Sequence, residues 1–317
     1  MGTMMALRAH ARGGPEQLVY EQAPTPAAGP GEVLVAVHAA AITFAELTWD
    51  LEWTTRDGKD RTPVIPSHEL SGVVAALGDG VAGPAVGDEV IGLVDFDRDG
   101  AAAEYVVMPA AGLAAKPRTL SHEAAATLPL AALTAWQALA DHAALQPGER
   151  VLVQGGAGGV GLFAVQLAAI LGGHVTATGR GADADLVREL GAEGFIGAES
   201  AGPGPAAGGF DVVIDTVGGA VLDGSYGLLR PGGRLVTLGA PPDKEAADRH
   251  RVRATFFVVT SDADELARLA EMADTGRLRT VISQTFPLAE GRRAFERGTG
   301  ERGAGSRRPG KTVLVVR

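Results

Sequence analysis

The hydrophobic and polar residues of this 317-residue chain follow two different periods. Before about residue 118, short apolar runs alternate with polar positions and are separated by turns rich in glycine and proline. Glu32 to Ala39 is the clearest example, because Val33, Val35 and Val37 fall on one face and predict a half-buried strand. Further strands are predicted over 71–77, 89–94 and 103–108. Short strands with such turns favour a small barrel or rolled sheet.

After residue 118, continuous apolar strands alternate with helices. Strands are predicted over 151–154, 174–178, 210–215 and 234–238, and helices over 131–144, 160–171, 183–190 and 220–229. This alternation predicts a doubly wound parallel sheet, and the fold class is therefore α/β. Beyond about residue 262 the pattern reverts, with helices predicted over 262–275 and 289–297 and a closing strand over 312–316.

Composition narrows the classes of function. A chain with 46% hydrophobic residues holds material for two domains, and its net charge of −10 argues against nucleic acid as a partner. No apolar run reaches the roughly 18 residues that a membrane span needs. The first twelve residues contain no apolar core typical of a secretory signal, so a cytoplasmic protein is expected. Cysteine is absent, which removes disulfides, thiolate catalysis and cysteine-ligated zinc.

A glycine-rich loop follows the predicted strand that ends at Gln154. Its residues are Gly155, Gly156, Ala157, Gly158, Gly159, Val160 and Gly161, and the second, fourth and seventh fit G-x-G-x-x-G. Such glycines permit a tight turn, close approach of a pyrophosphate, and close packing of helix on sheet. Because a strand precedes the loop and an apolar helix follows it, Gly156 to Gly161 are predicted to bind a dinucleotide.

The second strand of such a unit ends at the residues that select the cofactor. NAD enzymes place an acidic residue there, whereas this chain has Thr178, Gly179 and Arg180. A hydroxyl and a guanidinium suit a 2′-phosphate, so NADPH is the predicted cofactor. Asp183 and Asp185 come too late for the ribose contact and are interpreted as capping carboxylates of the next helix.

The chain resembles the medium-chain dehydrogenase/reductase superfamily, in its zinc-free quinone oxidoreductase and enoyl reductase-like branch. The similar segments are Leu7–Leu18, Pro30–Val35, Pro66–Val74 (PGHExxGVV in the family), Val86–Val90 (VGDxV), Leu133–Trp136, Arg230–Arg234 and Gly310–Val313. The resemblance implies a GroES-like catalytic domain, residues 1–117 plus 262–317, with a Rossmann nucleotide-binding domain, residues 118–261, inserted between its two parts.

The resemblance also implies roles for individual residues. Cofactor contacts carry over to Thr134 and to the segments Asp215-Thr216-Val217 and Leu238-Gly239-Ala240, and Phe257 is a further predicted cofactor contact. The family's Asn-Pro-x-Asp motif beside the nicotinamide is here Thr43-Phe44-Ala45-Glu46, so Thr43 and Glu46 are the predicted catalytic residues. An aromatic residue that stacks on the adenine in the family is replaced by Ala198.

Aromatic residues and the remaining charges complete the predicted site. Phe44, Trp49, Trp53 and Phe256 are predicted to line a substrate pocket, although packing is the simpler role for each. Arg302, Arg307 and Arg308 either contact an anionic substrate or lie in a solvated loop. His68 corresponds to a zinc ligand of zinc-bearing relatives, but its cysteine partners are absent, so no metal is predicted and His68-Glu69 is interpreted as a structural pair.

The resulting hypothesis is hydride transfer from NADPH to a quinone or to the activated C=C bond of an enone. Two alternatives remain open, namely an enoyl-thioester reductase and an NADPH-binding protein with little turnover. The apolar run Phe256 to Val259, within a predicted strand over 251–259, suggests a sheet edge through which two copies pair. The predicted partners are therefore a small-molecule quinone or enone and a second copy of the chain, with no nucleic acid and no membrane.

Overall fold

The computed structural model describes residues 2–197, 208–299 and 308–317, which form two compact units. The terminal unit comprises Met1–Leu130 and Thr260–Arg317, and the central unit comprises Ala131–Val259. The first division follows Leu130 rather than residue 117, because residues 118–130 bond within the terminal unit. Thr119 donates to Asp274, and the Leu130 amide donates to Glu69.

Strands and helices are numbered in chain order. The strands are β1 Thr3–Ala9, β2 Leu18–Pro24, β3 Glu32–Ile42, β4 Glu69–Leu77, β5 Glu89–Leu93, β6 Tyr105–Pro109, β7 Leu113–Ala115, β8 Arg150–Gln154, β9 His174–Gly179, β10 Gly194–Gly197, β11 Phe210–Asp215, β12 Leu229–Thr237, β13 Arg253–Phe256, β14 Ile282–Pro287 and β15 Lys311–Val315. The helices are α1 Asp50–Trp53, α2 His122–Ala125, α3 Ala131–Gln137, α4 Gly159–Ile170, α5 Ala184–Glu189, α6 Ala220–Ser225, α7 Lys244–His250, α8 Ala263–Asp274 and α9 Gly291–Thr299.

The terminal unit is built on one mostly antiparallel sheet with the order β14-β15-β3-β4-β5-β7, to which β6 is added on β3. A separate antiparallel hairpin joins β1 to β2. The predicted alternation in β3 is observed, since Val33, Val35 and Val37 are fully buried. The C-terminal β15 pairs antiparallel with β3, so the two ends of the chain share one sheet.

The central unit holds six parallel strands in the order β10-β9-β8-β11-β12-β13. Counted along the chain this is the order 3-2-1-4-5-6 of a Rossmann sheet. Val151, Leu152 and Val153 are consecutive and fully buried, as expected of a strand covered on both faces. The predicted α/β class, a doubly wound parallel sheet inserted in a β-rich unit, is confirmed.

Several elements differ from the sequence prediction. The helix predicted over 131–144 is α-helical only to Gln137 and continues as a π-helical turn over Ala138–His142. Helix α7 was not predicted, although Asp243 caps it by accepting from the amides of Glu245 and Ala246. The strand predicted over 251–259 pairs only over Arg253–Phe256, and Val258 is half exposed. Within the described ranges, no helix is long and apolar enough to cross a membrane.

Candidate functional site

The glycine-rich loop joins β8 to α4 and leaves no room for a side chain at several of its glycines. A Cβ on Gly161 would lie 2.1 Å from the carbonyl oxygen of Gly155, and one on Gly156 would lie 2.7 Å from the Cβ of Ala177. Gly155 adopts a φ of +75°, which favours glycine. Gly158 caps α4 without a side chain, so the first amides of this 12-residue helix remain available to an anion. These features fit a bound pyrophosphate.

Thr178 holds this loop in place. Its hydroxyl donates to Oε1 of Gln154 at 2.7 Å and accepts from the amide of Gly155 at 3.1 Å. The backbone oxygen of Thr178 also accepts from the amide of Gly156. The prediction that this hydroxyl contacts a 2′-phosphate needs correction, because its hydrogen is already used inside the unit.

Arg180 lies at the end of β9, next to the loop. Its Nε and Nη2 donate to the carboxylate of Asp183 at 3.0 and 3.2 Å, and its side chain is 35% exposed. Asp183 makes no capping hydrogen bond, so its predicted capping role is wrong. The carboxylate binds one edge of the guanidinium and leaves Nη1 for a further anion.

The loops that follow β11 and β12 border the same end of the sheet. The buried carboxylate of Asp215 accepts from the amides of Val217 and Gly218 and thereby shapes the first of these loops. A Cβ on Gly155 would lie 2.8 Å from Cγ2 of Val217, and one on Gly239 would lie 3.1 Å from Cα of Gly218. The structure thus brings Val217 to the glycine loop and Gly239 to Gly218 in the loop beside it. The resemblance placed Asp215 in a segment of cofactor contacts, and the structure shows its carboxylate bonded to the backbone of this loop.

The remaining predicted site residues lie beside Gly239, on other elements of the central unit, or outside the described residues. Leu238 and Ala240 flank Gly239 and are half-buried, and Thr134 is buried on α3. The ring of Phe257 lies against His142, with centroids 4.1 Å apart. Phe256 is half-buried at the end of β13. Ala198, Arg302 and Arg307 fall outside the described residues.

The terminal unit places Thr43 beside a buried ion pair. Thr43 directly follows β3, and Nζ of Lys311 lies 3.2 Å from its Oγ1. Lys311 also forms an ion pair with Glu69, whose second oxygen accepts from the Leu130 amide at 3.1 Å. Sheet register explains this cluster, since Thr312 pairs with Ile42 while Ala41 pairs with Glu69. Lys311 lies in the segment Gly310–Val313 that resembles the family, but it was not identified from the sequence as a site residue.

Further buried charges surround this ion pair. Nε2 of His68 lies 2.7 Å from Oε2 of Glu52, and both side chains are fully buried. His68 therefore pairs with Glu52 rather than with Glu69, contrary to the sequence interpretation. Glu46 is 1% exposed. Burial, reinforced by Glu52 and Glu69 and opposed by Lys311, raises the pKa of Glu46 well above its ordinary value. A carboxyl that is buried in this way does not present an oxygen for the predicted catalytic contact.

The predicted pocket aromatics have different environments. Trp53 is 3% exposed and donates its indole N–H to the carbonyl of Leu47 at 3.0 Å, so it belongs to the core and not to a pocket wall. Trp49 packs edge-on against Phe96, with centroids 5.4 Å apart. Phe44 is half-buried, and its ring would clash with any Cβ on Gly298 of α9.

The residues of the terminal unit do not fit a zinc ion. The chain has no cysteine, and Nε2 of His68 is taken by Glu52. Within residues 2–197, 208–299 and 308–317, no group of three histidine, aspartate or glutamate side chains is arranged to hold a metal.

Two family models match this chain. An alcohol dehydrogenase GroES-like domain matches residues 29–118, and a domain described as zinc-binding dehydrogenase matches residues 190–314. The second match shows membership of a family and not a bound zinc ion, because this chain has no cysteine and its His68 is bonded to Glu52.

Individual proteins agree with these models. A probable zinc-binding oxidoreductase, mitochondrial, of Arthroderma benhamiae is 30% identical over 94% of this chain and 93% of its own length. A spectinabilin polyketide synthase system protein, NorB, of Streptomyces orinoci is 36% identical over 95% of this chain, which spans only 14% of that protein.

Among solved structures, the quinone oxidoreductase from Coxiella burnetii superimposes with a TM-score of 0.91 at 31% identity and covers both chains completely. The CurK enoyl reductase superimposes with a TM-score of 0.83 at 27% identity over 98% of this chain and 99% of its own.

Proposed function

This chain belongs to the medium-chain dehydrogenase/reductase superfamily, and we propose that it is an NADPH-dependent reductase of quinones or of the C=C bond of enones. The oxidoreductase class and a pyridine nucleotide cofactor follow from the family. The observation that carries the finer proposal is the glycine loop between β8 and α4, with Arg180 beside it in place of an acidic residue.

The central unit would hold the cofactor with backbone atoms. Amides at the start of α4 would bind the pyrophosphate, and Val217 and Gly239 would border the same site. When bound, the cofactor supplies a hydride. Preference for NADPH is supported by Nη1 of Arg180, which the contact with Asp183 leaves available for a 2′-phosphate.

The terminal unit would act on the substrate oxygen. As hydride adds to the carbon β to the carbonyl, the C=C electron pair shifts toward that oxygen, which becomes an enolate. The hydroxyl of Thr43 is positioned by Lys311 and would donate a hydrogen bond to the developing charge. Solvent then supplies the proton to the α carbon. Since His68 and Glu52 are fully buried and bonded to each other, neither is proposed as the proton donor.

Zinc independence is part of this proposal. It is supported by the donor set, because His68 is tied to Glu52 and cysteine is absent. Elemental analysis of purified protein, combined with activity assays in chelator, tests it. Stoichiometric zinc, or activity lost in chelator and restored by zinc, would contradict zinc independence.

A second candidate is an enoyl-thioester reductase, which also reduces a C=C bond conjugated to a carbonyl. The relatives favour it, since one solved structure is an enoyl reductase and several similar proteins are polyketide synthase components. Oxidation of NADPH should be followed with quinones, enones and enoyl thioesters, and repeated with NADH. Turnover confined to thioesters would select the second candidate, and no turnover with any acceptor would overturn both.

We also propose a homodimer that forms through β13. This strand is the last in the sheet order, so its outer side has no paired strand within the described part of the chain. The half-exposed Val258 follows it. Light scattering should give twice the mass of one chain, and Val258→Lys should reduce it to one. One chain mass at every concentration would exclude the dimer.

A further inference from the structure

We infer that Lys311 is a positioning residue that turns Thr43 into a directed, charge-assisted donor to the substrate carbonyl oxygen. The inference rests on the proposed reduction of an enone or quinone. Lys311 begins β15, which pairs with β3, and its side chain contacts Thr43 directly after β3. The inference gives this lysine a chemical role in the proposed site.

The direction of the hydrogen bond follows from the donor types. A lysine ammonium has three hydrogens and no acceptor, so the 3.2 Å contact from Nζ to Oγ1 makes Thr43 the acceptor. The single hydrogen of Thr43 must then point away from Lys311. Thr43 is half-buried, and no side chain or carbonyl of the described residues accepts that hydrogen, which leaves it for a ligand.

The geometry of Lys311 is fixed on its other side. The ion pair with Glu69 holds the ammonium, and Glu69 is itself anchored by the Leu130 amide. Lys311 and Glu69 are 6% and 1% exposed at their side chains, so water screens the ammonium weakly. Its positive charge therefore polarises the Thr43 hydroxyl and strengthens its donation to an oxygen that gains negative charge.

A matched control is present in the same unit. Lys116 is also 6% exposed at its side chain, and its ammonium donates to the carbonyl of Leu120 while pairing with Glu89 at 3.4 Å. No hydroxyl group is recorded as a partner of its ammonium within the described residues. Replacing it removes a buried lysine without touching Thr43.

The test uses the full-length protein with NADPH and an enone or quinone that the parent reduces. Lys311→Met alone would leave Glu69 buried and uncompensated, so the variant measured is Lys311→Met/Glu69→Gln, which removes both charges together. Thr43→Val should lower kcat roughly 100-fold. The double variant Lys311→Met/Glu69→Gln, called the charge-free variant, should lower kcat about 10-fold, and both should leave NADPH affinity unchanged. Thr43→Ser keeps the hydroxyl and should lose much less kcat than Thr43→Val.

Combining all three changes should cost no more than Thr43→Val, because the lysine acts only through the hydroxyl. Multiplicative losses would overturn the inference, as would an equal loss of kcat in Lys116→Met. A parent that reduces no acceptor would overturn the proposed function, and the inference with it. A parent that is active while the charge-free variant keeps its kcat would overturn the inference alone.

A spectroscopic measurement distinguishes polarisation of the Thr43 hydroxyl by Lys311 from a purely structural role of the lysine, and it needs no turnover. A conjugated enal dye, 4-dimethylaminocinnamaldehyde, absorbs at longer wavelength when its carbonyl oxygen accepts a strong hydrogen bond. Bound with NADP⁺, the dye should shift in the parent and in Thr43→Ser, less in Lys311→Met/Glu69→Gln, and not in Thr43→Val. An identical shift in the parent and the charge-free variant would contradict polarisation by Lys311.

Discussion

The geometry of the glycine loop in the central unit and that of the charge cluster in the terminal unit are fixed in opposite ways. The conformation of the loop depends on the absence of side chains at its glycines, since a Cβ on Gly161 would lie 2.1 Å from a backbone oxygen. The cluster is shaped by side chains, because Lys311, Glu69 and Thr43 come from three distant segments of one sheet. A backbone site tolerates no added atoms, whereas a charge site tolerates changes of shape that conserve its charge balance.

Substitution of a loop glycine should have the largest effect. Gly161→Ala places a methyl group against the Gly155 carbonyl, which we expect to cost about 1–3 kcal/mol of folding stability. The displaced loop should also weaken NADPH binding on the order of 100-fold. Fluorescence titration and thermal unfolding measure the two effects.

Gly224→Ala is the matched control, since nothing lies within 4 Å of its added Cβ in α6. It should stabilise the protein by about 0.5–1 kcal/mol and leave cofactor binding unchanged. If both glycine variants bound NADPH like the parent, the close packing of the loop would not determine the site.

The same contrast explains what could be predicted from sequence. The loop was predictable because its spacing, the strand before it and the helix after it are all local. The Lys311–Glu69–Thr43 cluster depends on β15 pairing with β3 and β3 pairing with β4, which no local pattern encodes. The sequence left Trp53 open between a pocket wall and the core for a similar reason, because a tryptophan followed by a charged loop does not reveal that its indole bonds a buried carbonyl.

Arg180 is a side-chain contact at the edge of the backbone site, and its replacement should have an intermediate effect. Arg180→Ala should weaken NADPH by about 1.5–3 kcal/mol, because one charge-assisted contact is lost, while NADH binding should change little. Arg188→Ala is the control, since Arg188 pairs with Asp185 nearby. Equal affinities of the parent for NADPH and NADH would refute the cofactor preference.

Glu46 tests whether the charge cluster limits stability. Its raised pKa means that the folded protein holds this proton more tightly than the unfolded chain, whose carboxyl titrates near 4.5. The stability due to this group is complete below that pH and falls as pH rises toward the folded pKa. Glu46→Gln should therefore raise the free energy of unfolding at pH 8 by at least about 1 kcal/mol, but not at pH 4. Denaturant unfolding at both pH values measures it, and an equal change at both would exclude ionisation as the cause.

The smallest effect is expected at His122, which titrates with the opposite sign. Burial lowers the pKa of His122, and so does His38, whose ring stacks on it at 4.2 Å. Glu89, 3.2 Å away, opposes this shift, and Lys116 adds to it. Because the folded pKa lies below the ordinary value of 6.5, the stability contribution is complete above that pH and is lost as pH falls.

His122→Gln should therefore reduce the loss of unfolding free energy between pH 7 and 5 by less than about 1 kcal/mol. Burial also lowers the pKa of His38, which therefore continues to weaken the fold over this range, so the slope should diminish without vanishing. Denaturant unfolding at several pH values in this range measures the slope. An unchanged slope would show that the histidine stack does not set the acid limit. If Glu46→Gln then acts only at high pH and His122→Gln only at low pH, separate groups of the terminal unit limit its stability from both sides, while the glycine loop of the central unit remains indifferent to pH.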